Sequence, residues 1–104
     1  MLNSNSILDD VTPLEFYLSQ NYPNPFKDRT TIKYCVAYRT RVKLTVYDSE
    51  GEEIEKLVDE EKKPGTYEVE IQSAIGSQQL ATGNYSYILE AGDYKCEKEM
   101  VLIK

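Results

Sequence analysis

The residues of this chain best suited to chemistry are a run of carboxylates, Asp48, Glu50, Glu52, Glu53, Glu55, Asp59, Glu60 and Glu61, and two thiols, Cys35 and Cys96. Carboxylates this dense could hold calcium, or two of them could divide the acid and base roles of glycoside hydrolysis. The run lacks the alternating Asp/Asn ligands and the central turn glycine of a calcium loop, and a domain this small implies no cleft for a sugar. It therefore reads as the solvated face of a hairpin. The cysteines are too far apart in sequence for a CxxC redox or zinc motif. They are either two unpaired thiols on strands or a disulfide closing a long loop, worth about 4 kcal/mol in the chain-entropy view. The 104 residues include no histidine, which removes the commonest general base and transition-metal ligand together, and with them any Ser–His or Cys–His nucleophile pair. No catalytic residue, metal or cofactor is expected.

What must position these side chains is a small fold. A chain of this length supports one core and not two. Eighteen acidic residues against twelve basic ones give a net charge of -6, which opposes binding to nucleic acid, because that binding depends on Lys and Arg neutralising phosphates. Tyrosine occurs nine times. It favours strands, where the ring covers a pleated surface and the hydroxyl reaches water or a partner, so an all-β fold is expected. No apolar run approaches the length of a membrane span, and the segment from Met1 to Ile7 lacks the basic start and apolar stretch of an export signal. Export would then depend on an attached protein that carries such a signal.

Residues 1–14 are polar, with Pro13 breaking regular structure, and read as a linker or lead-in to a domain over 15–104. Glu15 to Leu18 forms a short strand. Asn21-Tyr22-Pro23-Asn24-Pro25-Phe26 reads as a rigid, extended corner that seats Tyr22 and Phe26 on the core, because each proline pushes its predecessor toward an extended conformation. Strict alternation then marks strands at Ile32/Tyr34/Val36, Val42/Leu44/Val46, Tyr67/Val69/Ile71 and Tyr85/Tyr87/Leu89. Asp48 to Gly51 turns the chain into a returning strand over Glu52 to Val58, Lys63-Pro64-Gly65 is a second turn, and Ser73 to Gln79 reads as a loop. Ala91-Gly92-Asp93 is a tight hairpin into a strand that runs to Lys104. About seven short strands at roughly ten-residue spacing predict a two-sheet antiparallel β-sandwich rather than a helix-containing fold. The core is expected from Ile32, Tyr34, Val36, Leu44, Val46, Tyr67, Val69, Tyr85, Tyr87 and Leu89.

The closing residues stand out because Met100-Val101-Leu102-Ile103 cannot all face one core from a strand. Alternation sends Met100 and Leu102 one way and Val101 and Ile103 the other. One pair must meet a second surface or stay exposed beside an edge that another protein could pair with, a second copy of this chain included.

Phe16 to Phe26 with Thr30-Thr31-Ile32-Lys33-Tyr34 resembles the opening of the type A C-terminal sorting domains of the type IX secretion system of Bacteroidetes-like bacteria. The similarity continues through Val46-Tyr47-Asp48, Gly51 to Ile54, Leu57-Val58-Asp59, Gly65-Thr66-Tyr67, Leu80 to Tyr85 and Lys98 to Lys104. The sequence departs from the family at Lys27-Asp28-Arg29, Ile71-Gln72-Ser73 and Asn84-Tyr85-Ser86-Tyr87. The resemblance implies an immunoglobulin-like sandwich, similar also to that of flagellar hook-capping proteins, carried behind an upstream cargo. It implies transport from the periplasm through an outer-membrane translocon, and removal of the domain by a sortase-like cysteine peptidase at the cell surface. It places the signal in the last strands, and with it Gly83, Tyr85, Gly92, Lys98, Met100, Val101, Leu102, Ile103 and Lys104. The rival reading is a binding, adhesion or scaffold module retained on a secreted protein, which exposed aromatics such as Tyr17, Tyr38 and Tyr47 grouped on one face would favour.

Overall fold

A computed structural model describes residues 15–75 and 78–104; the linker expected over 1–14 lies outside the described residues. Seven strands form two antiparallel sheets. Strands β1 (Tyr17–Leu18), β2 (Arg29–Val36) and β5 (Gly65–Gln72) make one, in the order β1-β2-β5. Strands β3 (Thr40–Tyr47), β4 (Glu53–Lys62), β8 (Gly83–Ala91) and β9 (Tyr94–Leu102) make the other, in the order β4-β3-β8-β9. The sandwich predicted from the alternation is the fold observed.

The inner faces are those the period of two selects. Ile32, Tyr34 and Val36 on β2 face Val42, Leu44 and Val46 on β3, Tyr85, Tyr87 and Leu89 on β8, and Met100 and Leu102 on β9, all buried. Leu18, Phe26, Ile71, Leu80 and Ala91 complete this core. Two expected members fall short of full burial: Tyr67 and Val69 are half-buried, because β5 is an edge strand. Tyr67 stacks on Tyr34 with ring centroids 5.3 Å apart and carries the Lys62 ammonium 5.0 Å above its ring.

Asp48 earns its place at the β3–β4 turn. Its carboxylate accepts the N–H groups of Glu50 and Glu52, both at 2.9 Å, while Gly51 takes a positive φ of 85°. Strand β4 runs to Lys62, four residues beyond the expected end at Val58. Those residues are all charged and show no apolar period, but they pair with Thr40 to Lys43, and Arg41 binds Asp59 at 3.0 Å. The register of β4 slips twice, leaving Leu57 and Ile54 without an opposite residue, and both pack against the core. Such bulges bend a strand and re-aim its side chains.

The stretch read as a loop over Ser73 to Gln79 contains a small hairpin, β6 (Ala74–Ile75) with β7 (Gln78–Gln79). Strands of two residues are too short to show a period. Cys35 on β2 and Cys96 on β9 are both free thiols. Among the described residues no helix is long and apolar enough to cross a membrane.

Candidate functional site

Strand β9 is the outer edge of its sheet, paired on one side to β8 from Gly83↔Leu102 to Ala91↔Tyr94. Its even-numbered side chains face the core: Met100 is 0% and Leu102 2% exposed. Val101 is half-buried and Ile103 is 40% exposed. The split of the apolar tetrad into two faces therefore holds. Lys98, also on the inner side, lies opposite Tyr87 and is half-buried, the arrangement of a long stem along apolar surface with its charge led outward.

The main chain of β9 is not left open at this end, as the expected exposed edge would require. Phe26 donates its N–H to the Val101 carbonyl at 2.9 Å and accepts the Ile103 N–H at 2.8 Å, forming a parallel bridge with Leu102. The Asn24 side-chain oxygen accepts the Val101 N–H at 3.0 Å. Gln20 Nε2 donates to the Glu99 carbonyl at 2.6 Å. The strand proper stops at Leu102, two residues before the chain's last, yet Ile103 is still held. Among the described residues, no group outside the sheet bonds the main chain of Lys95 or Glu97. The open part of this edge is thus its first half, where exposed charged side chains discourage pairing.

The residues that reach β9 are Gln20 and two members of the corner that follows it, Asn24 and Phe26, and the rest of the corner Asn21–Phe26 holds them in place. Asn21 is buried and donates to the Pro23 carbonyl at 3.1 Å and to Thr30 Oγ1 at 3.0 Å. The Thr30 hydroxyl in turn donates to Pro23 at 2.7 Å. Tyr22 exchanges main-chain bonds with Thr31 on β2. Phe26 then enters the core. The corner is bent at residues 23–25, with cis peptide bonds before Pro23 and Pro25, and is not the extended segment expected. Only one of the two aromatics expected to seat on the core does so: Tyr22 is 82% exposed because its main chain, not its ring, makes the attachment.

Gly83 and Tyr85 lie at the same end, opposite Leu102 and Met100. Tyr85 donates to the Ala81 carbonyl at 2.5 Å, and burial pushes its phenol above the ordinary value. Leu102, Ile103 and Lys104 line a groove of about 270 Å3 with Lys27, Asp28, Leu80 and Thr82. Gly92 does not join them. It sits in the β8–β9 turn at the far end of a nine-residue strand, about 26 Å away, with a φ of 59°. A Cβ there would lie 2.5 Å from the Tyr38 hydroxyl.

Tyr38 packs edge-on to Phe16 at 4.9 Å, beside the turn that holds Gly92. Tyr47 is at the opposite end of β3 and Tyr17 is on the other sheet. These three tyrosines do not form one platform. Among the described residues no group of three or more acidic or thiol side chains is placed to hold a metal.

Asn21 and Asn24 fall within the corner that the sequence marks, but their bonds to Thr30 and Val101 are not part of that expectation, and Gln20 lies outside the corner. No local signal marks Gln20 or Asn24, because their partners on β9 lie 79 and 77 positions away in the sequence.

No curated protein matches the sequence. Among solved structures, the dimeric latent PorU of Porphyromonas gingivalis shares the fold with a TM-score of 0.62 at 14% identity, over 86% of this chain and 9% of that one. The Pseudomonas fluorescens alkylpurine DNA glycosylase AlkC, bound to DNA containing an abasic site analog, matches with a TM-score of 0.51 at 11% identity, over 86% of this chain and 31% of that one. This chain thus spans less than a third of either, and at such identities the likeness is one of fold. The sequence itself goes further, because residues 20–104 match the model of a family described as the secretion system C-terminal sorting domain. The chain belongs to the secretion system C-terminal sorting domain family, whose members serve as non-catalytic signals for type IX export of an attached cargo.

Proposed function

We propose that this domain is read at its C-terminal end by an outer-membrane type IX translocon that carries an upstream cargo from the periplasm to the cell surface or beyond. Residues 1–14 serve as the linker and 15–104 as the address. A sortase-like cysteine peptidase at the surface removes the domain, and the domain itself performs no reaction. Of the residues brought together at one end, Val101, Ile103 and Lys104 are read; Gly83 and the buried Tyr85, Met100 and Leu102, with Lys98 beside them, hold the strand that presents these three, and Gly92 contributes by setting the hairpin that aligns β8 with β9. What supports this reading is the treatment of the tail. Met100 and Leu102 anchor it in the core while Ile103 and Lys104 stay accessible beside a groove.

The test is a fusion of residues 1–104 behind a periplasmic reporter in a type IX-competent host and in a sister strain lacking the translocon. Release in the first strain alone is expected. Retention in the periplasm of both strains would overturn the proposal.

A further inference from the structure

We infer that Asn24 is a positioning residue of the sorting signal, acting through its bond to Val101 to keep the end of β9 closed to strand pairing, so that the machinery meets side chains on a fixed backbone. This rests on the sorting function proposed above and concerns how the same end is presented.

Three contacts converge on the last residues of β9, all from a seven-residue stretch of chain. Phe26 takes both main-chain partners it can, the Val101 carbonyl and the Ile103 N–H. Gln20 covers the Glu99 carbonyl. The Val101 N–H, lying between them, would be left pointing into open space without Asn24 Oδ1 at 3.0 Å. A donor in that position on an edge strand is what an incoming strand would bond first. With it occupied, an added strand could not continue past Glu99 without displacing the clasp. The clasp is itself anchored by the buried Asn21–Thr30 pair and the Tyr22–Thr31 bridge, so its displacement would disrupt bonds inside the other sheet. The side chains of Val101 and Ile103 and the terminal Lys104 are then the features left to recognise.

Asn24 is exposed and, among the described residues, its side chain makes this one hydrogen bond, so replacing it should disturb the clasp without unfolding the core. The experiment compares Asn24→Ala and Asn24→Asp, the second of which keeps an acceptor, in the whole chain. Two readouts are taken: amide hydrogen exchange at Val101 in the purified protein, and release of the fused reporter. Asn24→Ala is expected to speed Val101 exchange about tenfold, the effect of losing one hydrogen bond, and to lower release several-fold; Asn24→Asp is expected to restore both. Unchanged exchange in Asn24→Ala would show that the clasp does not hold Val101. Unchanged release with faster exchange would show that holding it does not matter, and equal loss of release in both variants would make Asn24 a contact rather than a positioning residue. Any of the three overturns the inference. If Asn24→Ala fails to fold, Asn24→Ser, whose hydroxyl falls short of Val101, takes its place. Should the unsubstituted fusion itself not be released, the sorting proposal fails while the exchange readout still tests the clasp.

Discussion

Phe26 and Leu102 form a parallel bridge in which both side chains are buried, although the two residues lie 76 positions apart. One follows two prolines and the other lies two residues from the last. Their pairing joins the corner after β1 to the edge of the second sheet, so the tail is part of the core on one face and part of the surface on the other.

Phe26 should accordingly control both stability and the order of the tail. Phe26→Ala is expected to cost about 3 to 5 kcal/mol through the cavity it leaves, and Phe26→Leu about 1 kcal/mol or slightly more. Denaturant unfolding gives the magnitudes. Hydrogen exchange on Phe26→Leu should show the largest loss of protection at Ile103, whose N–H bonds the main chain of this residue.

Alkaline unfolding follows from buried phenols, Tyr34 and Tyr87 foremost among them. Burial pushes Tyr34 and Tyr87 from the ordinary value of 10.0 up to about 12. The folded state therefore holds these protons more firmly than the unfolded chain. Their contribution is complete below pH 10 and is lost as pH rises toward 12. The melting temperature should fall across that window, and less steeply in Tyr34→Phe. Tyr87→Phe should in addition cost about 1 to 2 kcal/mol near neutral pH, because the Tyr87 hydroxyl donates to the Ser19 carbonyl at 2.7 Å across the core. A melting temperature that stays flat from pH 10 to 12 would contradict the assignment.

The hairpin at Gly92 is the third test. Its left-handed conformation costs an L-residue about 1 to 2 kcal/mol, and a methyl group would also push the Tyr38 ring from its seat. Gly92→Ala should lower stability by more than that, the clash adding to the backbone cost. Adding Tyr38→Ala to it should recover only the part due to the clash, which a double-mutant cycle separates from the backbone cost.

The sandwich was legible because burial here follows a period of two. Tyr34, Val46 and Leu89 announce their faces, and the turn at Asp48–Gly51 is written in residue types that favour it. The far half of β4 was not, since Asp59 to Lys62 hold their place by charge and main-chain pairing rather than by apolar alternation. Periodicity also could not show which aromatic of the corner would be buried. Tyr22 and Phe26 are equivalent as patterns, and their fates differ because the main chain of Tyr22 is taken by Thr31 while that of Phe26 is taken by Val101 and Ile103. At the candidate site, the two-faced tail could be deduced from four consecutive apolar residues. Its clasp could not, because a hydrogen bond between Asn24 and Val101 spans 77 positions and leaves no local mark.

On the reading proposed above, the accessible last residues, and not the sandwich alone, carry the address. Deleting Ile103 and Lys104 removes one main-chain bond, Ile103 N–H to Phe26, and no buried side chain, so it should cost about 1 kcal/mol and leave the domain folded. The measurement is the fraction of reporter released when this shortened chain replaces the full one behind it. A folded fusion that accumulates in the periplasm is expected; release equal to that of the full chain would show that the last two residues are not part of the address.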